Sequence, residues 1–231
     1  MRGSLHVAAA LALVFMTSAA VVAAPQGDRV LPAEQYTTDK GRRLGATHAR
    51  ALHDLNAVLY HCWPWVETQR ASIGFYRPKN ATQDDRYLSV RIFIEQDASP
   101  IFSRLPFEQR AAAMFSRYVG PLLRRMTVSP AVAADPNLDG FTTILEWTKQ
   151  AAPAGGRPIH ETIAVFVDKA TAIEYLSGRI DIKALATRAR VLGFDGETAL
   201  GAITLGPTYD DNFVSTYKVA NYQLEQGVTC Q

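Results

Sequence analysis

The chain has 231 residues, 48% of them hydrophobic and 20% charged, with 24 basic against 22 acidic side chains for a formal net charge of +2. That length and composition suit a globular unit with a buried core. A charge so close to zero gives no bulk attraction to nucleic acid, so no nucleic-acid partner is expected.

The chain opens with Met1 and Arg2, continues through an apolar run at residues 6–16, and turns to small residues at 17–24. Charged start, apolar middle and small-residue end are the order of a secretory signal peptide, expected here over residues 1–23. A proline directly after the cut is disfavoured, so cleavage is placed between Ala23 and Ala24 rather than before Pro25. No cysteine stands at that point to carry a lipid, and no second apolar run nears the ~18 residues that span a bilayer. The expected location is therefore secreted or periplasmic, with no transmembrane segment after cleavage.

Residues 24–45 are polar and carry no period, and are expected to form a flexible mature N-terminus. Residues 46–231 are expected to form a single globular α+β domain. Leu44, His48, Leu52, Leu55, Leu59 and Cys62 recur at spacings of three and four, the stripe of a helix that Pro64 ends. His48 falls on this stripe and reads as a hydrogen-bonded core histidine. Beyond it, Trp63 and Trp65 flank the proline. They could form an aromatic platform, but tryptophan is more often buried, and a core role is favoured.

Residues 71–76 and 87–94 read as strands, the second with Leu88, Val90, Ile92 and Ile94 alternating onto one face. A long helix follows over residues 106–126, where Phe107, Ala111, Phe115, Tyr118 and Leu122 share a face. Pro121 should kink or end it. Arg110, Arg117 and Arg124 are spaced by seven on this helix, nearly two turns, and are expected to be exposed as one basic stripe. Such a stripe could meet an anionic envelope component or a protein partner. More commonly it is a solvated face. Strands are expected at 140–147 and 161–167, short helices at 169–177 and 181–188, and strands near 191–194, 199–205 and 213–219. Asp195-Gly196 is a hairpin signal.

Cys62 and Cys230 are the only cysteines. In an oxidising compartment an even count favours a disulfide between them, closing a loop of roughly 170 residues and contributing about 5 kcal/mol at most. No zinc or calcium ligand pattern is present, and neither a metal nor a cofactor is expected. Ser215 and Lys218 match the spacing of an acyl-enzyme pair. That chemistry needs a helix start, whereas this segment reads as a strand. His61, Asp54 and Glu67, near the exit of the first helix, are the best candidates for acid–base groups.

The expected fold is α+β, an antiparallel sheet of about five to seven strands with helices mainly on one face. The favoured function is an exported, non-catalytic binding or envelope-associated protein. The alternative is an exported hydrolase whose site is assembled from distant residues near the end of the first helix.

Overall fold

The computed structural model describes residues 29–63, 65–79, 81–94, 100–150, 157–206 and 216–217. The expected signal peptide, Cys230, Ser215 and Lys218 lie outside these residues. After a 3-10 turn at Ala33–Gln35 come α1 (Asp39–Thr47), α2 (Ala49–Cys62), β1 (Val66–Thr68), β2 (Gly74–Tyr76) and β3 (Tyr87–Ile94). Then follow α3 (Pro100–Ser103), α4 (Phe107–Met126), α5 (Pro130–Ala134), β4 (Gly140–Gln150) and β5 (Ile159–Asp168). The last named elements are α6 (Lys169–Leu176), α7 (Ile182–Arg188), β6 (Arg190–Asp195) and β7 (Thr198–Ala202).

The strands form one sheet in the order β1-β3-β4-β5-β6-β7, with β2 also paired to β3. β1 and β2 share an edge: β2 pairs with residues 87–89 of β3 and β1 with residues 92–94. The fold is the expected α+β arrangement. One pair departs from the antiparallel pattern, because β3 and β4 run parallel. The segment joining them carries α3, α4 and α5, the long crossover that a parallel pair requires.

The alternation in β3 sets the core. Leu88, Val90, Ile92 and Ile94 are all buried on one face. Across the sheet, Ile92 lies opposite Leu145 and Leu145 opposite Ile163, so apolar rows run from strand to strand. Leu52, Leu55 and Leu59 of α2 and Phe115 and Leu122 of α4 are buried in the same core as Ile92, Ile94, Val165 and Val167. The whole stripe Leu44, His48, Leu52, Leu55, Leu59 and Cys62 is buried, but it runs over two helices, because the backbone leaves helical geometry at His48.

Trp63 and Trp65 are buried, which is the core role. The Asp195-Gly196 turn closes the β6–β7 hairpin with Gly196 at φ +58°, a conformation that glycine adopts without strain.

Three expectations need correction. Residues 29–45 do not form a flexible tail. Val30 bridges to Ile73, and Tyr36 is buried with its hydroxyl accepting a hydrogen bond from the Phe75 amide at 3.1 Å. Thr38 caps α1 by accepting from the Gly41 amide, and its hydroxyl also accepts from the buried Arg86 guanidinium at 2.6 Å. Gly45 allows the Tyr36 ring to lie against α1, since a Cβ there would sit 2.4 Å from that ring. These anchors are tertiary and leave no period in the sequence.

Of the two outcomes expected at Pro121, a kink or an end, the end does not occur: α4 continues to Met126. Leu122, Leu123 and Met126 are all buried beyond it. Their packing outweighs the cost of a proline inside a helix, about 3 kcal/mol for the lost backbone bond and the ring clash together. Finally, the two described residues of the expected strand at 213–219, Thr216 and Tyr217, are helical. Tyr217 is buried with its ring edge-on to Phe102.

Candidate functional site: a cleft between α2, α4 and α5

The first turns of α2, the end of α4 and the start of α5 leave a cleft of about 440 Å³ between them. Its walls are largely aliphatic: Leu52, Leu55, Val58, Met126 and Val132 line it, with Leu88 of the sheet. Arg50 and Asp54 stand at it with exposed side chains, 3.8 Å apart as an ion pair. His48, Ser129 and Arg125 are the other chemically distinctive groups lining it.

His48 occupies the break between α1 and α2 and is only 5% exposed. Its Nε2 lies 2.8 Å from Oδ2 of Asp135, the residue that follows α5. The other carboxylate oxygen accepts from the Asn137 amide at 2.8 Å and from its side chain at 3.1 Å. Burial pushes the Asp135 carboxyl up, but the hydrogen bonds from His48 and Asn137 outweigh it, and the group sits below the usual carboxylate range. The pair is therefore a charge-assisted tie between the α1–α2 junction and α5. Geometrically it also resembles the base-and-orienter half of a nucleophilic site. Ser129 lines the same cleft, yet no described hydrogen bond joins its hydroxyl to His48.

Arg125 closes one end. Its guanidinium lies 4.6 Å above the Trp63 ring, and its Nε is buried without a hydrogen-bond partner. Burial draws its pKa below the usual arginine value. Arg125 is shared with a second, smaller cavity of about 90 Å³, lined also by Trp63, Trp65, Arg117, Tyr118 and Pro121. Trp65 Nε1 is likewise buried and without a partner.

His61, Asp54 and Glu67 are not joined to one another by any described hydrogen bond or ion pair. Asp54 pairs with Arg50 at the cleft, while exposed His61 packs edge-on to the Tyr60 ring at 5.2 Å. Glu67 is in β1 and lies 3.9 Å from Arg29. Sequence reasoning placed acid–base chemistry at the exit of α2. The structure places the His–carboxylate pair at the entrance of α2 instead, on a carboxylate 87 residues away.

The basic stripe also needs correction. Arg124 is exposed and lies over the Tyr175 ring, and Arg117 is half-buried, but Arg110 is 6% exposed. Arg110 forks onto the fully buried Glu161: its Nε donates to Oε2 at 2.7 Å and its Nη2 to Oε1. Trp147 Nε1 donates to the same carboxylate at 3.0 Å, and Lys149 bridges from 3.7 Å away to Asp195. Residues 110–115 of α4 are all buried, so this stretch of the helix has no solvated face. Three consecutive alanines, Ala111 to Ala113, let neighbours approach it closely.

A second surface lies on the other face of the sheet. Glu146 accepts from Arg91 at 2.7 Å and contacts His160 Nδ1 at 2.8 Å. A shallow cleft of about 300 Å³ nearby is lined by Arg70, Tyr76, Arg77, Lys79 and Phe166 among others.

Among the described residues no group of three or more His, Cys, Asp or Glu side chains could hold a metal ion, and no helix is long and apolar enough to cross a membrane. No protein-family model, curated protein or solved structure matches the chain.

Proposed function

We propose that the chain is an exported, non-catalytic binding protein that takes a small, mainly apolar ligand into the α2–α4–α5 cleft. The observation that carries this reading is the cleft itself: about 440 Å³, aliphatic on its walls and polar at a few points. Ligand sites of about 300–1,000 Å³ with that composition are the common kind. Export rests on the order of charge, apolar run and small residues at 1–23.

The test is binding of Nile red, a neutral apolar dye. Its fluorescence should rise with the parent protein and should not rise with Val58→Trp, which puts a large ring into the cleft from a residue that is 38% exposed. Unfolding free energies of the two proteins should agree within about 0.5 kcal/mol. A parent that leaves the dye dark, or a variant that binds it equally well, would overturn the reading.

Cys62 is buried at the last position of α2. The proposed bridge to Cys230 would fasten that helix end, and its loss typically costs about 2–5 kcal/mol. Intact mass after alkylation without reductant decides it: two added labels would exclude the bridge.

The alternative, an exported hydrolase, draws on the His48–Asp135 pair and Ser129 lining one cleft. It requires turnover of a 4-nitrophenyl ester by the parent, lost in Ser129→Ala.

A further inference from the structure

Three buried side-chain atoms of the described residues lack a hydrogen-bond partner: Arg125 Nε, Trp65 Nε1 and Thr143 Oγ1. Two of the three belong to residues lining the same small cavity. Both are N–H donors with no acceptor capacity, so what each lacks is an oxygen. Trp65 is 5% exposed and cannot turn to water without leaving the core. Half-buried Arg125 adds a positive charge that no carboxylate among the described residues offsets; its guanidinium lies over the face of Trp63. A buried donor left unmade opposes folding, and two such donors, Arg125 Nε–H and Trp65 Nε1–H, belong to residues lining this cavity. A chain that retains both at one place has a use for them there.

Arg125 lines the large apolar cleft as well as the small cavity. The two spaces therefore meet at a cation. On the premise of the binding reading above, we propose that the ligand is an amphipathic carboxylic acid. Its carboxylate sits between Arg125 and Trp65, and its apolar body lies along Leu52, Leu55 and Met126.

The stoichiometry of donors favours a carboxylate over a phosphate. The two unpartnered N–H groups, of Arg125 and Trp65, match the two oxygens of a carboxylate, whereas a phosphate brings further oxygens that need further donors; Arg117, which also lines the cavity, already has a partner. The small cavity, about 90 Å³, is about three times the ~30 Å³ share of one water, which suits a head group of this size. The acid nearest this route, Asp54, is already paired with Arg50, and its side chain is 72% exposed, so its charge is well screened.

Calorimetric titration of the full chain with decanoate and with decanol tests the proposal. The two probes share an apolar body and differ in the head group. Decanoate should bind about ten- to a hundredfold more tightly, the worth of a charge-assisted hydrogen bond. Arg125→Met should abolish that preference while decanol binding persists. Trp65→Phe keeps the ring and removes the donor, and should narrow the preference several-fold, which holds the test open if the arginine variant folds poorly. Equal binding of the two probes to the parent overturns the carboxylate assignment and leaves the cleft reading standing. A preference for decanoate that survives both substitutions overturns the assignment to Arg125 and Trp65. Binding of neither probe overturns this proposal and the cleft reading together.

Discussion

Arg110 and Arg125 lie fifteen residues apart on one helix, the first buried and the second half-buried, and their surroundings are opposite. Arg110 meets a carboxylate that is fully buried, and its remaining N–H groups reach the Ser103 and Leu105 carbonyls. Trp147 and Lys149 complete the set around Glu161. Every charge there has an opposite, and the cluster joins α4 to β4, β5 and β6. Arg125 has an aromatic face and an unmade Nε–H. The first arginine is compensated by its own chain and serves the scaffold. The second is uncompensated and borders two cavities. The two differ in the depth of their burial and, above all, in the state of their partners.

The largest effect expected from breaking this contrast comes at the compensated end. Arg110→Met leaves the fully buried Glu161 side chain with too few donors, and should cost about 3–5 kcal/mol in urea unfolding. Replacing both, as Arg110→Met with Glu161→Leu, should recover much of that loss, because no charge is then stranded. A double variant as unstable as the single one would show that the pair contributes more than mutual compensation.

An intermediate effect is expected at Asp135, a carboxylate tied to His48 by a hydrogen bond of 2.8 Å. Its folded pKa lies below the unfolded value of about 3.9, so its contribution is fully present above that pH and is lost as pH falls through the folded value. Asp135→Asn should cost about 1.5–3 kcal/mol at pH 7, the worth of hydrogen bonds to a charged group. The gap between parent and variant should close below about pH 4. A gap that stays constant from pH 7 to pH 3 would show that the charge of Asp135 plays no part.

The smallest effect is expected at the uncompensated end. Arg125→Met removes a half-buried charge that has no carboxylate partner and keeps most of the apolar stem, so the unliganded protein should change by less than about 1 kcal/mol. The contrast with Arg110→Met, the same substitution on the same helix, is the sharpest form of the comparison. A loss of several kcal/mol at Arg125 would mean that its stacking on Trp63 is itself a structural support.

Much of the fold was legible in the sequence, because amphipathic periods are local. The stripe from Leu44 to Cys62, the alternation from Leu88 to Ile94 and the apolar face of α4 each follow from residues within one element. Turn chemistry at Asp195-Gly196 was legible for the same reason. The candidate site was legible only as single residues. His48 stood out as a histidine on an apolar stripe, while its partner Asp135 carries no local signal.

What the sequence determined by itself was which faces must leave water, since that depends on apolar spacing along one helix or strand. What only the tertiary structure decided was the fate of each charge. Arg110, Arg117 and Arg124 share one spacing, yet the first is buried on Glu161, the second half-buried and the third exposed. The partner of Arg110 lies 51 residues away, and the cover over each turn of α4 comes from elements distant in the chain. The same holds at the N-terminus, where Tyr36 and Thr38 are held by Phe75 and Arg86. A hydrophobic period is a property of a segment. Compensation of a charge is a property of the space around it, and that space exists only once the chain has folded.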